Sequence, residues 1–177
     1  MSSSRLTLLA GAIDRFTTAV GRAAAWGTLA IVLLQLAVVL LRHQLGIGSV
    51  WLHESVLYAH GAVIMLAAAW TLAENGHVRV DIFYADAPPR RKAALDFFGA
   101  LAFLIPFATA LLVLSLPYAA RSWAILEGSR ETSGIPAVFV LKSLIPAFAV
   151  LMILQGISQA IRATAVLRAP RQTGTVE

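Results

Sequence analysis

Four stretches of this 177-residue chain are long and apolar enough to cross a lipid bilayer, and no other feature constrains its fold as strongly. A crossing needs roughly 20 apolar residues. The stretches run from Ala23 to Leu41, Leu52 to Ala73, Phe97 to about Ala120, and about Ala137 to Ile161. In hydrocarbon each backbone N–H and C=O must find its partner inside the protein, which excludes open strands and predicts four helices. The fold class is therefore all-α, an integral membrane protein with four transmembrane helices in a single domain over residues 1–177. Composition agrees. The chain is 59% hydrophobic and 13% charged, against about half and a quarter in soluble domains. Pro106 and Pro146 lie inside spans three and four. They are expected to bend them, because each removes a backbone donor and crowds the preceding turn.

The basic residues fall unevenly about these spans. Arg5, Arg15 and Arg22 precede the first. Arg79, Arg90, Arg91 and Lys92 lie between the second and third. Arg162, Arg168 and Arg171 follow the fourth. Of the 14 Lys and Arg residues, only Arg42, Arg121, Arg130 and Lys142 fall on the other side. Segments rich in Lys and Arg stay in the cytoplasm, so both termini are predicted cytoplasmic, with 162–177 as a tail. This sidedness accounts for the net charge of +5 without nucleic acid. No basic patch interleaved with aromatics marks a nucleic-acid footprint. The absence of cysteine excludes disulfides, thiolate metal sites and cysteine nucleophiles.

Residues 1–22 carry Leu6, Leu9, Ile13, Phe16 and Val20 at spacings of three, four, three and four, one face of a helix. Arg5, Asp14, Arg15 and Arg22 lie largely off that stripe. The pattern predicts an amphipathic helix in the plane of the membrane, with its arginines toward anionic headgroups. The alternative is a simple extension of span one into the cytoplasm.

Glu54 and Lys142 are the ionisable residues placed clearly inside spans, where an unpaired charge is costly. Both lie about one turn from the outer face, at matching depth and with opposite sign. They are predicted to form a structural ion pair that sets the register of spans two and four. The competing reading is a proton or cation site. Such a carboxylate belongs near the midplane or at a broken helix, and Glu54 is shallow. The histidines raise a haem-bearing membrane anchor of a redox enzyme as a second class. Axial ligands must face each other at one depth, which only His43 and His53 offer. A small multidrug-type exporter is a third class, suggested by four spans and one membrane carboxylate. No Walker, GxSxG or HExxH pattern is present, and nothing assembles a nucleophile with its base, so no enzyme, cofactor or metal site is expected.

Between spans two and three lies "NGHVRVDIF", Asn75 to Phe83. Gly76 is expected to supply the left-handed residue that ends span two. Val78, Val80 and Ile82 then alternate with Arg79 and Asp81, as in an extended segment. Span two is dense in small residues, among them Gly61, Ala67, Ala68 and Ala69. These let helices approach closely, either within the chain or against a partner.

In order, these residues resemble the small membrane subunit (DctQ-like) of tripartite ATP-independent periplasmic (TRAP) transporters, over roughly Trp26 to Arg162. The resemblance is carried by Glu54 with Tyr58, then "AENGHVRVDIF", then "EGSRETSGIPAVFVLKSLIP" leading into span four and "LQGISQAIRA" closing it. It implies a scaffold and docking subunit of a secondary transporter in the bacterial inner membrane. Such a subunit works with a large membrane subunit (DctM-like) and a periplasmic substrate-binding protein. The substrate is usually an organic acid. Transport is symport, usually with sodium, whose site lies in the large subunit. On this reading Arg79 and Asp81 are candidates for docking the large subunit. Arg121, Glu127, Arg130 and Glu131, in the longer outer loop, are candidates for docking the binding protein.

Overall fold

The computed structural model describes residues 3–77, 84 and 86–169. Among these, α1 spans Ser3–Ala25, α2 Gly27–Leu45, α3 Val50–Ala73, α4 Pro89–Gly99, α5 Ile105–Ala124 and α6 Val138–Arg168. A π-helical turn, Ala100–Leu104, joins α4 to α5. The described residues contain no strand, and four helical segments are long and apolar enough to cross a membrane. The extended reading of 78–83, with Arg79 and Asp81, falls outside the described residues, as does the tail beyond Ala169.

The spans are longer than apolar runs alone indicate. Only Trp26 separates α1 from α2, and together they make a 41-residue segment, Arg5–Leu45, about 60 Å long. Residues α2 to α3 turn at Gly46, whose φ of 66° closes α2. Ser49 then caps α3, its Oγ accepting from Leu52 N at 3.3 Å. At the far end of α3 the left-handed residue is Asn75, with φ 55°, and not Gly76 as expected. Asparagine tolerates that conformation, while Gly76 N donates to Thr71 O at 2.8 Å. The basic run Arg90–Lys92 is helical rather than loop. Pro88 and Pro89 start α4, where a missing N–H costs nothing. The third span therefore extends from Pro89 to Ala124, 36 residues. Its π turn lies just before Pro106, with Ile105 N bonded to Ala100 O. The wider turn gives the proline ring room against the carbonyl it would otherwise strike. Residues 162–168, expected in the tail, continue α6 to Arg168.

The helices form an open row. α6 sits between α3 and α5, and α3 separates α6 from α2. Among the described residues α2 touches neither α5 nor α6, so the row does not close into a bundle. α1 packs along both α3 and α6. Ala69, Ala108, Leu151 and Met152 make the small core. Lipid tails are as apolar as leucine, so burial of oil alone does not join such helices. Close backbone approach does. A Cβ on Gly21 would lie 2.3 Å from Trp70 Cβ, and one on Gly27 would lie 2.7 Å from Val63 Cγ2. The α1–α2 rod and α3 meet at these two points. Gly61 faces Leu141 and Leu144 of α6, so part of the small-residue surface of α3 serves packing inside the chain.

The N-terminal helix is present, but an in-plane amphipathic arrangement is not what the structure shows. Ala10, Thr17 and Gly21 are buried against the other helices, while Leu9 and Phe16 of the apolar stripe are exposed. The face that packs is the small and polar one.

Candidate functional site

The chain concentrates its polar contacts at the two opposite ends of its helices. At one end, the segment between α5 and α6 folds back over the first turn of α3. Leu126, with φ 46°, turns the chain out of α5, and Glu127 N bonds Ser122 O at 3.0 Å. Ser129 N then bonds Ile135 O at 3.1 Å, closing the loop on itself. Glu54 reaches into this loop. One carboxylate oxygen accepts from Ile135 N at 2.5 Å, and the other accepts from the Ser129 hydroxyl. That hydroxyl accepts in turn from Glu131 N at 3.1 Å. A Cβ on Gly134 would lie 2.8 Å from Glu54 Oε1 and 2.3 Å from Ser129 Oγ. The clamp therefore requires glycine at that position.

The expected pair of Glu54 with Lys142 is not formed. Lys142 Nζ donates to Glu127 Oε2 at 2.5 Å and lies 4.3 Å from the centroid of the Tyr118 ring. The physical reason is proximity along the loop. Glu127 and the donors of 129–135 are all carried to the rim, so each charge finds a nearer partner than the other. Trp123 ties the same region together, donating from Nε1 to Ser143 Oγ at 2.7 Å and packing on Phe139.

Of the expected docking residues, Arg121, Arg130 and Glu131 are exposed. Glu127 is held by Lys142 and is not a free surface charge. Between this loop and the α2–α3 turn lies an open cleft of about 660 Å³, with Arg42, His53, Glu54 and Glu131 on its walls. Among the described residues, no three His, Asp or Glu side chains converge to hold a metal.

The clamp gives two expected results. Glu54→Ala leaves Ile135 N and Ser129 Oγ without their acceptor. Hydrogen exchange at Ser129, Gly134 and Ile135 should then accelerate at least tenfold, with exchange in α1 unchanged. If exchange in the loop stayed at its original rate, Glu54 would not hold it. The second result concerns pH. The hydrogen bond from Lys142, with its charge, holds the Glu127 carboxyl below the usual carboxylate range. A carboxyl with a depressed value stabilises above its unfolded value, about 4.3, and that contribution is lost as pH falls through the lowered one. Trp123 fluorescence should thus be constant at neutral pH and change only below about pH 4. A Glu127→Gln variant should lack that transition.

The other end was not singled out in the sequence. Asp14 of α1 accepts from Ser158 Oγ at 2.6 Å and from Gln155 Nε2 at 3.0 Å, and pairs with Arg162. Thr17 Oγ1 donates to Gln155 Oε1 at 2.8 Å. Thr17 and Ser158 are fully buried. The signal is visible afterwards as two matched polar stripes, Ala10–Asp14–Thr17–Gly21 on α1 and Gln155–Ser158–Arg162 on α6. Arg90 adds a cap, its guanidinium donating to Leu167 O near the end of α6 at 2.5 Å.

Comparison with known proteins gives one family. The family described as "Tripartite ATP-independent periplasmic transporters, DctQ component" matches residues 31–166. No curated protein and no solved structure matches the chain.

Proposed function

Because the chain belongs to the DctQ component family of tripartite ATP-independent periplasmic transporters, we propose that it is the small, non-translocating membrane subunit of a secondary importer. The observation that carries this reading is the open row. Lys142 pairs with Glu127 at one end of the helices and Arg162 with Asp14 at the other, and α2 stands at the edge with most of its surface exposed. Such a shape suits a scaffold that is completed by a larger membrane protein.

On this reading the large subunit carries the substrate and sodium sites, and a periplasmic binding protein delivers an organic acid. The chain itself holds no cofactor. It sits in the inner membrane with both termini cytoplasmic, which places the Glu54 clamp on the periplasmic side. Arg121, Arg130 and Glu131 then form an exposed charged rim beside the cleft. Rim charges chiefly set the rate of encounter, which fits transient docking of the binding protein. Arg79 and Asp81 remain candidates for contact with the large subunit.

Uptake in proteoliposomes with a sodium gradient distinguishes the roles. Vesicles with this chain alone should be inactive. Vesicles with both membrane subunits should take up substrate only when the binding protein is added. Uptake by this chain alone, or by the large subunit at full rate without it, would overturn the proposal.

A further inference from the structure

One polar residue of α2 stands where the surrounding solvent is apolar. Arg22 and Arg42 bracket the apolar part of the α1–α2 rod, a length of about 30 Å, close to the thickness of hydrocarbon. Gln35 lies between them, about 10 Å inside the Arg42 level, too deep for its short side chain to reach the headgroups. It is exposed, and among the described residues its amide has no hydrogen-bond partner. An amide left unbonded in an apolar medium costs several kcal/mol. Acyl chains cover leucine and valine without loss, but they offer an amide nothing.

The surroundings of Gln35 have the form of a helix seam. Thr28, Val32, Gln35, Val39 and Arg42 follow at spacings of four, three, four and three, and all are exposed. This is the spacing with which one helix meets another. The neighbouring helix adds to it. Gly27 of α2 lies against Val63 of α3. Gln35 is about 80° round α2 from Gly27, and His60 is about 60° round α3 from Val63, in the same rotational sense. On antiparallel helices equal senses lead to the same side. His60 is also exposed and also lacks an intramolecular hydrogen bond. One face of the α2–α3 pair thus carries two unpaired polar groups within the apolar region.

We propose that this face of the α2–α3 pair receives a transmembrane helix of the large membrane subunit, and that a hydrogen-bonding side chain of that helix meets Gln35. The inference rests on the reading of the chain as an accessory subunit and names the surface it uses. A second copy is the other possible occupant, and charge argues against it. Two copies with the same membrane orientation are related by an axis along the membrane normal, which would set Arg42 against Arg42 at the end of the seam.

Gln35 makes no bond inside the chain, so Gln35→Leu should leave the thermal midpoint of the isolated chain unchanged. In the presence of the large subunit it should weaken association about three- to thirtyfold, the range of one interhelical hydrogen bond in a membrane. A photo-reactive residue at Val39 should cross-link to the large subunit, and one at Leu114, exposed on α5, should not. Full retention of the complex by Gln35→Leu, cross-links from Leu114 only, or a Val39 adduct of two small chains would each overturn the inference while leaving the accessory role intact. A lowered midpoint of the isolated variant would also overturn it. Failure of the unaltered chain to co-purify with the large subunit would remove the accessory reading and this inference together.

Discussion

Gly21→Val is expected to separate α1 from α3 and to destabilise the folded chain by about 3 kcal/mol, at the upper end of overpacking. The added Cβ would stand 2.3 Å from Trp70 Cβ. Trp70 Cβ is fixed to the α3 backbone, so no rotamer change relieves the contact and the helices must part. Gly11 supplies the control. A Cβ there meets nothing within 4 Å, so Gly11→Val should be near neutral, helped by the removal of a glycine from a helix interior. Thermal unfolding in detergent compares the two. If both variants behaved alike, the α1–α3 contact would not be a determinant of the fold.

Asp14→Ala should cost about 2 kcal/mol, while Arg162→Ala should cost less than about 1 kcal/mol. The asymmetry follows from exposure. The Arg162 side chain is 60% exposed, so its ion pair is largely screened. Gln155 is only 4% exposed, and loss of Asp14 leaves its Nε2 without an acceptor. Ser158 suffers less, because Ala10 O remains within reach of its hydroxyl at 3.2 Å. Equal losses for the two variants would mean that the charge pair, rather than the buried amide, holds α1 to α6.

These two sites also mark what the sequence could and could not disclose. The four crossings are legible because length and apolarity alone define them, and α3 ends at Ala73 as expected. Which face of α1 packs inside the chain was not legible, for a physical reason. In water an apolar stripe points inward. In lipid an apolar stripe is equally at home outside, and the small or polar residues mark the packed side. Leu9 and Phe16 carry the apolar stripe, and Ala10, Asp14 and Thr17 make the contact. The partner of Glu54 was illegible for a different reason. Depth and sign suggested Lys142, but the choice depends on how residues 125–137 fold, and a loop that bonds mainly to itself has no periodicity to read. The helix Pro89–Gly99 was hidden by Arg90–Lys92, since basic residues at a membrane edge look like loop until the Pro88–Pro89 start is given its weight. The open row could not be seen at all, because amphipathicity does not say which helices are neighbours.

On the proposed function this chain is one subunit of a larger membrane complex and not a transporter by itself. Native mass measurement of the complex, purified through a tag on this chain after co-expression with a DctM-like large membrane subunit, tests it most directly. The expected result is a single species containing one 18.9 kDa chain and one large subunit. A chain recovered alone, or only as oligomers of itself, would contradict it.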